Sequence, residues 1–195
     1  MNRKNLRSLA AGVALLLAVG ALAGCGGEKK ADDSKKMVTV GIAQLVEHGA
    51  LDAANKGFVA GMASKGFKEN ENVKYDRQNA QADQSNLQNI AQRFVSNKVD
   101  LICAIATPTA QTMANATKDI PIVATAVTDY EVAKLAASNN EPKGNVTGTS
   151  DMNPIDQQLE LLLKIAPQTK NIGTVYSSSE VNSQLQVDVL KKLAR

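Results

Sequence analysis

From residue 38 to residue 127 the chain alternates short β-forming apolar runs with longer stretches whose apolar residues recur at helical spacing. Few folds tolerate that alternation. Residues 38–43 are a short β-rich run. Leu51, Ala54, Phe58, Val59 and Met62 then mark one face of a helix, with Gly66 placed to end it. Val73 and Tyr75 alternate with Lys74 and Asp76, the pattern of a strand near a sheet edge. Leu87, Ile90, Ala91, Phe94 and Val95 form a second helical stripe, opened by Asp83 or Ser85. Residues 99–106 are continuously apolar except for Asp100, as expected of a central parallel strand covered on both faces. Thr107 and Pro108 read as the cap and first position of a third helix, which continues through Ala110, Met113, Ala114 and Thr117. Residues 120–127 are another buried strand. The order β-α-β-α-β-α-β predicts an α/β fold built on a parallel, doubly wound sheet.

A polar stretch over residues 138–144 leads to a short strand at 145–149. Asn153 and Pro154 open a helix carrying Leu159, Leu162, Leu163 and Ile165, and Pro167 stops it. Residues 171–176 have a strand pattern and 182–195 a helical one. One parallel strand with one helix cannot complete a two-faced layer, so the chain reads as entering a second α/β lobe.

The first 36 residues are different in kind. Arg3, Lys4 and Arg7 precede an apolar run from Leu9 to Ala23, the layout of a secretory signal. That run is shorter than the roughly 20 residues a spanning helix needs. It ends Leu22-Ala23-Gly24-Cys25, which matches a bacterial lipobox with Cys25 as the lipidated thiol. Residues 26–36 are glycine and mixed charge, with too little apolar surface to fold, and predict a tether. The expected division is therefore a signal at 1–24, a tether at 25–36 from lipidated Cys25, a ligand-binding lobe at 37–150, and a crossover with the beginning of a second lobe at 151–195. An extracytoplasmic protein held to the membrane by lipid follows.

Charge and composition remove some function classes. Of 22 basic residues, the three in the signal account for the whole net charge of +3, leaving 19 basic against 19 acidic. A neutral body lacks the basic face that nucleic-acid binding requires, and 3% aromatic content provides no stacking platform. His48 and Cys103 are too few for a metal cluster, and no glycine-rich phosphate loop follows a strand. No cofactor is implied. Cys103, alone in the body of the chain, reads as a small buried hydrophobe.

In open α/β sheets, ligands bind beyond the carboxyl ends of the strands. The polar residues expected there are Gln44, Glu47 and His48 after the first strand, and Gln78, Asn79 and Gln81 after the second. Thr107 and Thr109 follow the third, and Thr128, Asp129 and Tyr130 the fourth. Ser177, Ser178, Ser179, Glu180, Asn182 and Ser183 follow the last. The set is rich in hydroxyls and amides and poor in catalytic pairs. It suits a small zwitterion, with Asp129 or Glu180 toward an ammonium, and each residue could equally be a helix cap. No Ser-His-Asp or Cys-His order is present.

Several longer stretches are specific. They are Val40-Gly41-Ile42-Ala43-Gln44 with Glu47-His48, Ala50-Leu51-Asp52-Ala53-Ala54 through Gly57-Phe58, and Asn79-Ala80-Gln81. Next come Ala104-Ile105-Ala106-Thr107-Pro108-Thr109-Ala110-Gln111, Ile120-Pro121-Ile122-Val123, Thr128-Asp129 and Asn145-Val146-Thr147-Gly148. Gly173-Thr174-Val175-Tyr176 and Asn182-Ser183 end the series. In these the chain resembles the ABC transporter substrate-binding lipoproteins of the tryptophan/tyrosine type. The resemblance implies a type I periplasmic-binding-protein-like fold. Two Rossmann-like lobes would close on an amino acid, possibly an aromatic one, and the loaded protein would deliver it to a membrane permease. It implies no catalysis. Carried over by motif, the cleft would use Gln44, His48, Thr107, Thr109, Thr128 and Asp129 from the first lobe and Glu180, Asn182 and Ser183 from the second. The chain departs from the family where Tyr130, rather than proline, follows Asp129. Tyr130 then reads as a surface residue or as a stacking partner for an aromatic ligand. Family members also continue well beyond the length of this chain, so it reads as the N-terminal part of such a protein. A sensory ligand-binding module for a membrane signalling partner is the alternative, since its cleft would look the same; the lipid anchor favours transport. An enzyme on the same fold is third, disfavoured by the missing catalytic pair.

Overall fold

The computed structural model describes residues 37–142 and 144–195. The expected signal, the tether and Cys25 lie outside them. The elements run β1 (Val38–Gln44), α1 (Gly49–Ser64), β2 (Val73–Asn79), α2 (Gln84–Ser96), β3 (Leu101–Ile105), α3 (Thr107–Ala116) and β4 (Ile122–Val127). β5 (Val146–Ser150), α4 (Ile155–Ile165) and α5 (Val181–Leu193) follow. All strand pairs are parallel, in the order β2-β1-β3-β4-β5.

Period-two alternation explains why the inner strands are apolar throughout. Val40 and Ile42 of β1, with Cys103 and Ile105 of β3, face the layer holding Leu51, Phe58, Val59 and Met62 of α1. Ala43, Ile102 and Ala104 face the opposite layer, with Leu87, Ile90 and Phe94 of α2 and Met113 of α3. Both faces are thus sealed by helices. Gly41 lies under the Phe94 ring, where a β-carbon would sit 2.7 Å from it, so only glycine admits the aromatic to the sheet. Asp100, the one charge in the β3 run, accepts from the Thr39 amide at 2.8 Å.

Local caps follow the expected chemistry with one exception. Asp83, rather than Ser85, caps α2 by accepting from Asn86 N–H at 2.8 Å. Gly66, at φ +89°, follows α1 and donates to Ala63 at 3.0 Å. The exception is α3: Thr107 is its first helical residue, and the cap position falls to Ala106, which has no side chain to cap with.

Two expectations are corrected. Residues 171–176 do not form a strand: among the described residues no neighbour pairs with them, and an extended segment without a partner is not a sheet element. Val175 stands fully exposed there. Tyr130 is neither a surface residue nor a stacking one. It is 6% exposed, and its hydroxyl reaches the carbonyls of Ala124 at 2.9 Å and Thr149 at 3.2 Å, clipping β4 to β5 where the ladder shifts register. Gly148 makes room for it. A β-carbon at Gly148 would meet the Ala124 carbonyl oxygen at 1.9 Å and the Tyr130 hydroxyl at 2.2 Å.

Tyr130→Phe should therefore cost about 1 kcal/mol, the net worth of the lost bond. Gly148→Ala should cost about 2–3 kcal/mol by overpacking. In urea melts the Gly148→Ala penalty should be smaller on the Tyr130→Phe background, because one of the two clashes is then gone; additive penalties would refute the shared contact.

Burial pushes the Cys103 thiol up to about 12 from an ordinary 9.0. Below pH 9 the thiol is protonated in both states and its contribution is fully present. Above 9 the unfolded chain releases that proton first, so stability falls as pH rises toward 12. Cys103→Ala should flatten the first part of that fall, from pH 9 to 10, before Tyr130, also raised to about 12 by burial, begins to contribute. An unchanged slope in that range would contradict the assignment.

Candidate ligand-binding site

The 2-1-3-4-5 strand order reverses direction between β1 and β3, which places the natural crevice beyond their carboxyl ends. There β3 passes into α3 through Ala106, whose φ of 88° and ψ of 152° belong to a region normally reserved for glycine. Ala126, at φ 55°, sits in the β4 irregularity beside it. Gln81 and Ala82, at φ 55° and 57°, follow β2. Positive φ also occurs at Asn70 and Lys98, before β2 and β3, but the Ala106 pair of angles falls at the carboxyl end of β3, where ligand clamps tend to sit.

The α3 start is the most telling place. Its first-turn amides have no partner within the helix, and Pro108 has no N–H to satisfy. Thr107 is 1% exposed and Thr109 fully buried, yet neither hydroxyl has a hydrogen-bond partner. A threonine at a helix start ordinarily caps it; these do not. Buried polar atoms are nearly always paired, and two orphans on one helical turn call for an external partner.

Across a cleft of about 550 Å³ lies the turn into α5. Leu45 after β1, Ala82 and Gln84 before and in α2, and Pro108 and Thr112 of α3 line one side. Ser179 and Glu180 line the other. Asn182, just inside α5, donates to Glu180 at 3.3 Å, while its own buried carbonyl oxygen, Oδ1, has no partner. Among the described residues the remaining unpartnered buried atoms are thus this oxygen, from the part of the chain beyond β5, and the Tyr75 hydroxyl on β2.

Other predicted residues are already engaged. The Gln44 amide donates to Val46 O at 2.9 Å and to Asp52 at 2.6 Å, and its oxygen accepts from Asn55 at 3.2 Å. It ties the end of β1 to α1. His48 is the N-cap of α1, its Nδ1 accepting from Ala50 N–H at 3.2 Å. Asp129 accepts from Val132 N–H at 2.7 Å and from Asn139 at 2.8 Å, holding its own loop. Thr128 is buried, and its carbonyl accepts from the Ser150 hydroxyl at 2.7 Å. Ser183 faces a separate groove of about 410 Å³ between α4 and α5, with Ile155, Leu159, Leu162, Ile172 and Val187. The structure thus brings Pro108 and Thr112 of α3 to one cleft with Glu180, while Thr107 and Thr109, on the same helix start, are buried and do not line it. It places Gln44 in a different depression, with Asp52, Arg77 and Asn79. Sequence reasoning missed Ala106, because an alanine in a glycine conformation leaves no compositional trace. Among the described residues, no group of three or more His, Cys, Asp or Glu is placed to hold a metal ion.

Because each orphaned hydroxyl costs desolvation without return, Thr107→Val and Thr109→Val should each stabilise the ligand-free chain by about 1 kcal/mol. That is a rise of roughly 2–4 °C in melting temperature. A fall would mean that the hydroxyls are satisfied within the fold.

Residues 39–195 match the model of the family described as ABC transporter substrate binding protein. A tyrosine-binding protein of Clostridioides difficile (strain R20291) is 50% identical over 202 residues, covering all of this chain and 58% of the relative. Among solved structures, a conserved domain protein from Vibrio cholerae O1 biovar El Tor is 43% identical with a TM-score of 0.79. It covers 82% of this chain and 54% of its own. An ABC domain from Streptococcus pneumoniae, in complex with L-Trp, has the same identity and coverage with a TM-score of 0.78. The chain spans little more than half the length of these relatives. The fold is periplasmic-binding-protein-like, and proteins of this kind bind their substrates without chemistry. By a match across most of its length, the chain belongs to the family of ABC transporter substrate-binding proteins.

Proposed function

We propose that this chain is part of an extracytoplasmic solute-binding lipoprotein of an ABC importer, and that its ligand is an aromatic amino acid. Residues 1–24 are its signal, Cys25 its lipid anchor and residues 26–36 its tether. Residues 37–150 form the first ligand-binding lobe, and 151–195 the crossover and start of the second. The permease is its membrane partner. The single observation that carries the binding role is the pair of orphaned hydroxyls, Thr107 and Thr109, on an uncapped helix start at the switch point of the sheet. A helix start with free amides and hydroxyl donors complements a carboxylate. The relatives named for tyrosine and solved with L-Trp support an aromatic amino acid.

Within this reading Glu180 is the group for the ligand ammonium. It lines the same cleft as the α3 turn, whereas both Asp129 oxygens already accept bonds inside their own loop. Asn182 adds an unpartnered buried oxygen on the same side. A ligand touching both the α3 turn and the α5 start favours the state in which they face each other, which is the population shift a solute receptor needs.

Isothermal titration of the chain with L-tyrosine should give saturable binding, and Glu180→Gln should weaken it by roughly tenfold or more, as for loss of a charged hydrogen-bond partner. Gln44→Ala should act mainly on stability. Binding unaffected by Glu180→Gln would remove that residue from the site; absence of saturable binding would overturn the amino-acid reading.

A further inference from the structure

We infer that Ala106 is a positioning residue of this site: its strained backbone fixes where the uncapped α3 start and its two buried hydroxyls sit. The inference rests on the reading of the Thr107–Thr109 turn as a ligand subsite. Both peptide groups of Ala106 are fixed from outside. Its N–H donates to Thr125 O of β4 at 3.0 Å, and its carbonyl accepts from Ala110 N–H of α3 at 3.0 Å. β3 is paired on both edges, and α3 is anchored in the core by Ala110, Met113 and Ala114. The residue between them absorbs the whole change of direction, which is how a conformation at φ 88° and ψ 152° persists without glycine.

Alanine contributes two things there that other residues would not. A serine, threonine, aspartate or asparagine at a helix cap would offer its own oxygen to the first-turn amides and compete with the ligand. Ala106 has none, and no side chain caps α3. Glycine would relieve the strain and keep both backbone bonds, but it would widen the range of φ and ψ sampled between them and blur the position of the buried Thr107 and Thr109 hydroxyls. The β-carbon keeps the subsite in one geometry before the ligand arrives, so less order must be imposed on binding.

The test is a titration of the ¹⁵N-labelled chain with L-tyrosine, following the Thr107 and Thr109 amides, for the wild type, Ala106→Gly and Lys98→Gly. Lys98, at φ 50°, is a positive-φ residue between α2 and β3, at the amino end of the sheet. Both glycine variants should raise the melting temperature, because each removes a strained conformation. Only Ala106→Gly should weaken binding, by roughly three- to tenfold through lost preorganisation. Its Thr107 and Thr109 amides should also become more mobile on the nanosecond scale. Unchanged affinity in Ala106→Gly, with the wild type still binding through these amides, would overturn the positioning role alone. A wild type that binds L-tyrosine without moving these amides would instead overturn the subsite reading, and this inference with it.

Discussion

Strand β3 has no freedom left. It is paired on both edges by β1 and β4 and covered on both faces by helices, so its direction is set by four neighbours at once. α3 must leave its end at a fixed angle to place Ala110 and Met113 in the core. The peptide at Ala106 is where these two demands meet, and it adopts a conformation that an alanine would not choose. An uncapped helix start with two buried hydroxyls is the result. The core thus offsets the strain, and the strain shapes the proposed site.

That junction separates what the residues reveal directly from what they do not. The sheet was legible because burial on two faces leaves a plain trace: 99–106 reads as a central strand, and 38–43 as its neighbour. Helix faces were legible from Leu87, Ile90 and Phe94, all of which reach the core. Tyr130 was not, because its burial depends on the missing side chain of Gly148, eighteen positions later in the chain and across a strand boundary. Thr107 reads as a cap because it precedes a proline; in the structure the helix begins one residue earlier, at Thr107 itself, with Ala106 at the cap position. Residues 171–176 carry a strand pattern in their side chains, but pairing is a property of the neighbour, not of the segment.

The same distinction runs through the site residues. Gln44, His48 and Asp129 have the chemistry of ligand contacts and the geometry of internal ties: a strand-to-helix clamp, a helix cap and a loop brace. Motif resemblance cannot tell these apart, because a site and its scaffold are retained in the same stretch of residues. Hydrogen-bond satisfaction adds a second criterion. Of the buried polar atoms left without a partner among the described residues, Tyr75 Oη lies on β2, whereas those of Thr107, Thr109 and Asn182 sit on the helix starts whose neighbours Pro108 and Glu180 line one crevice. Glu180 brings the one carboxylate of that crevice.

A crystal structure of the chain grown with L-tyrosine tests this account most directly. The account predicts the ligand carboxylate within hydrogen-bond distance of the Thr107 or Thr109 hydroxyl at the start of α3, with its ammonium toward Glu180. A ligand bound elsewhere, with both hydroxyls paired to the chain's own atoms, would contradict it.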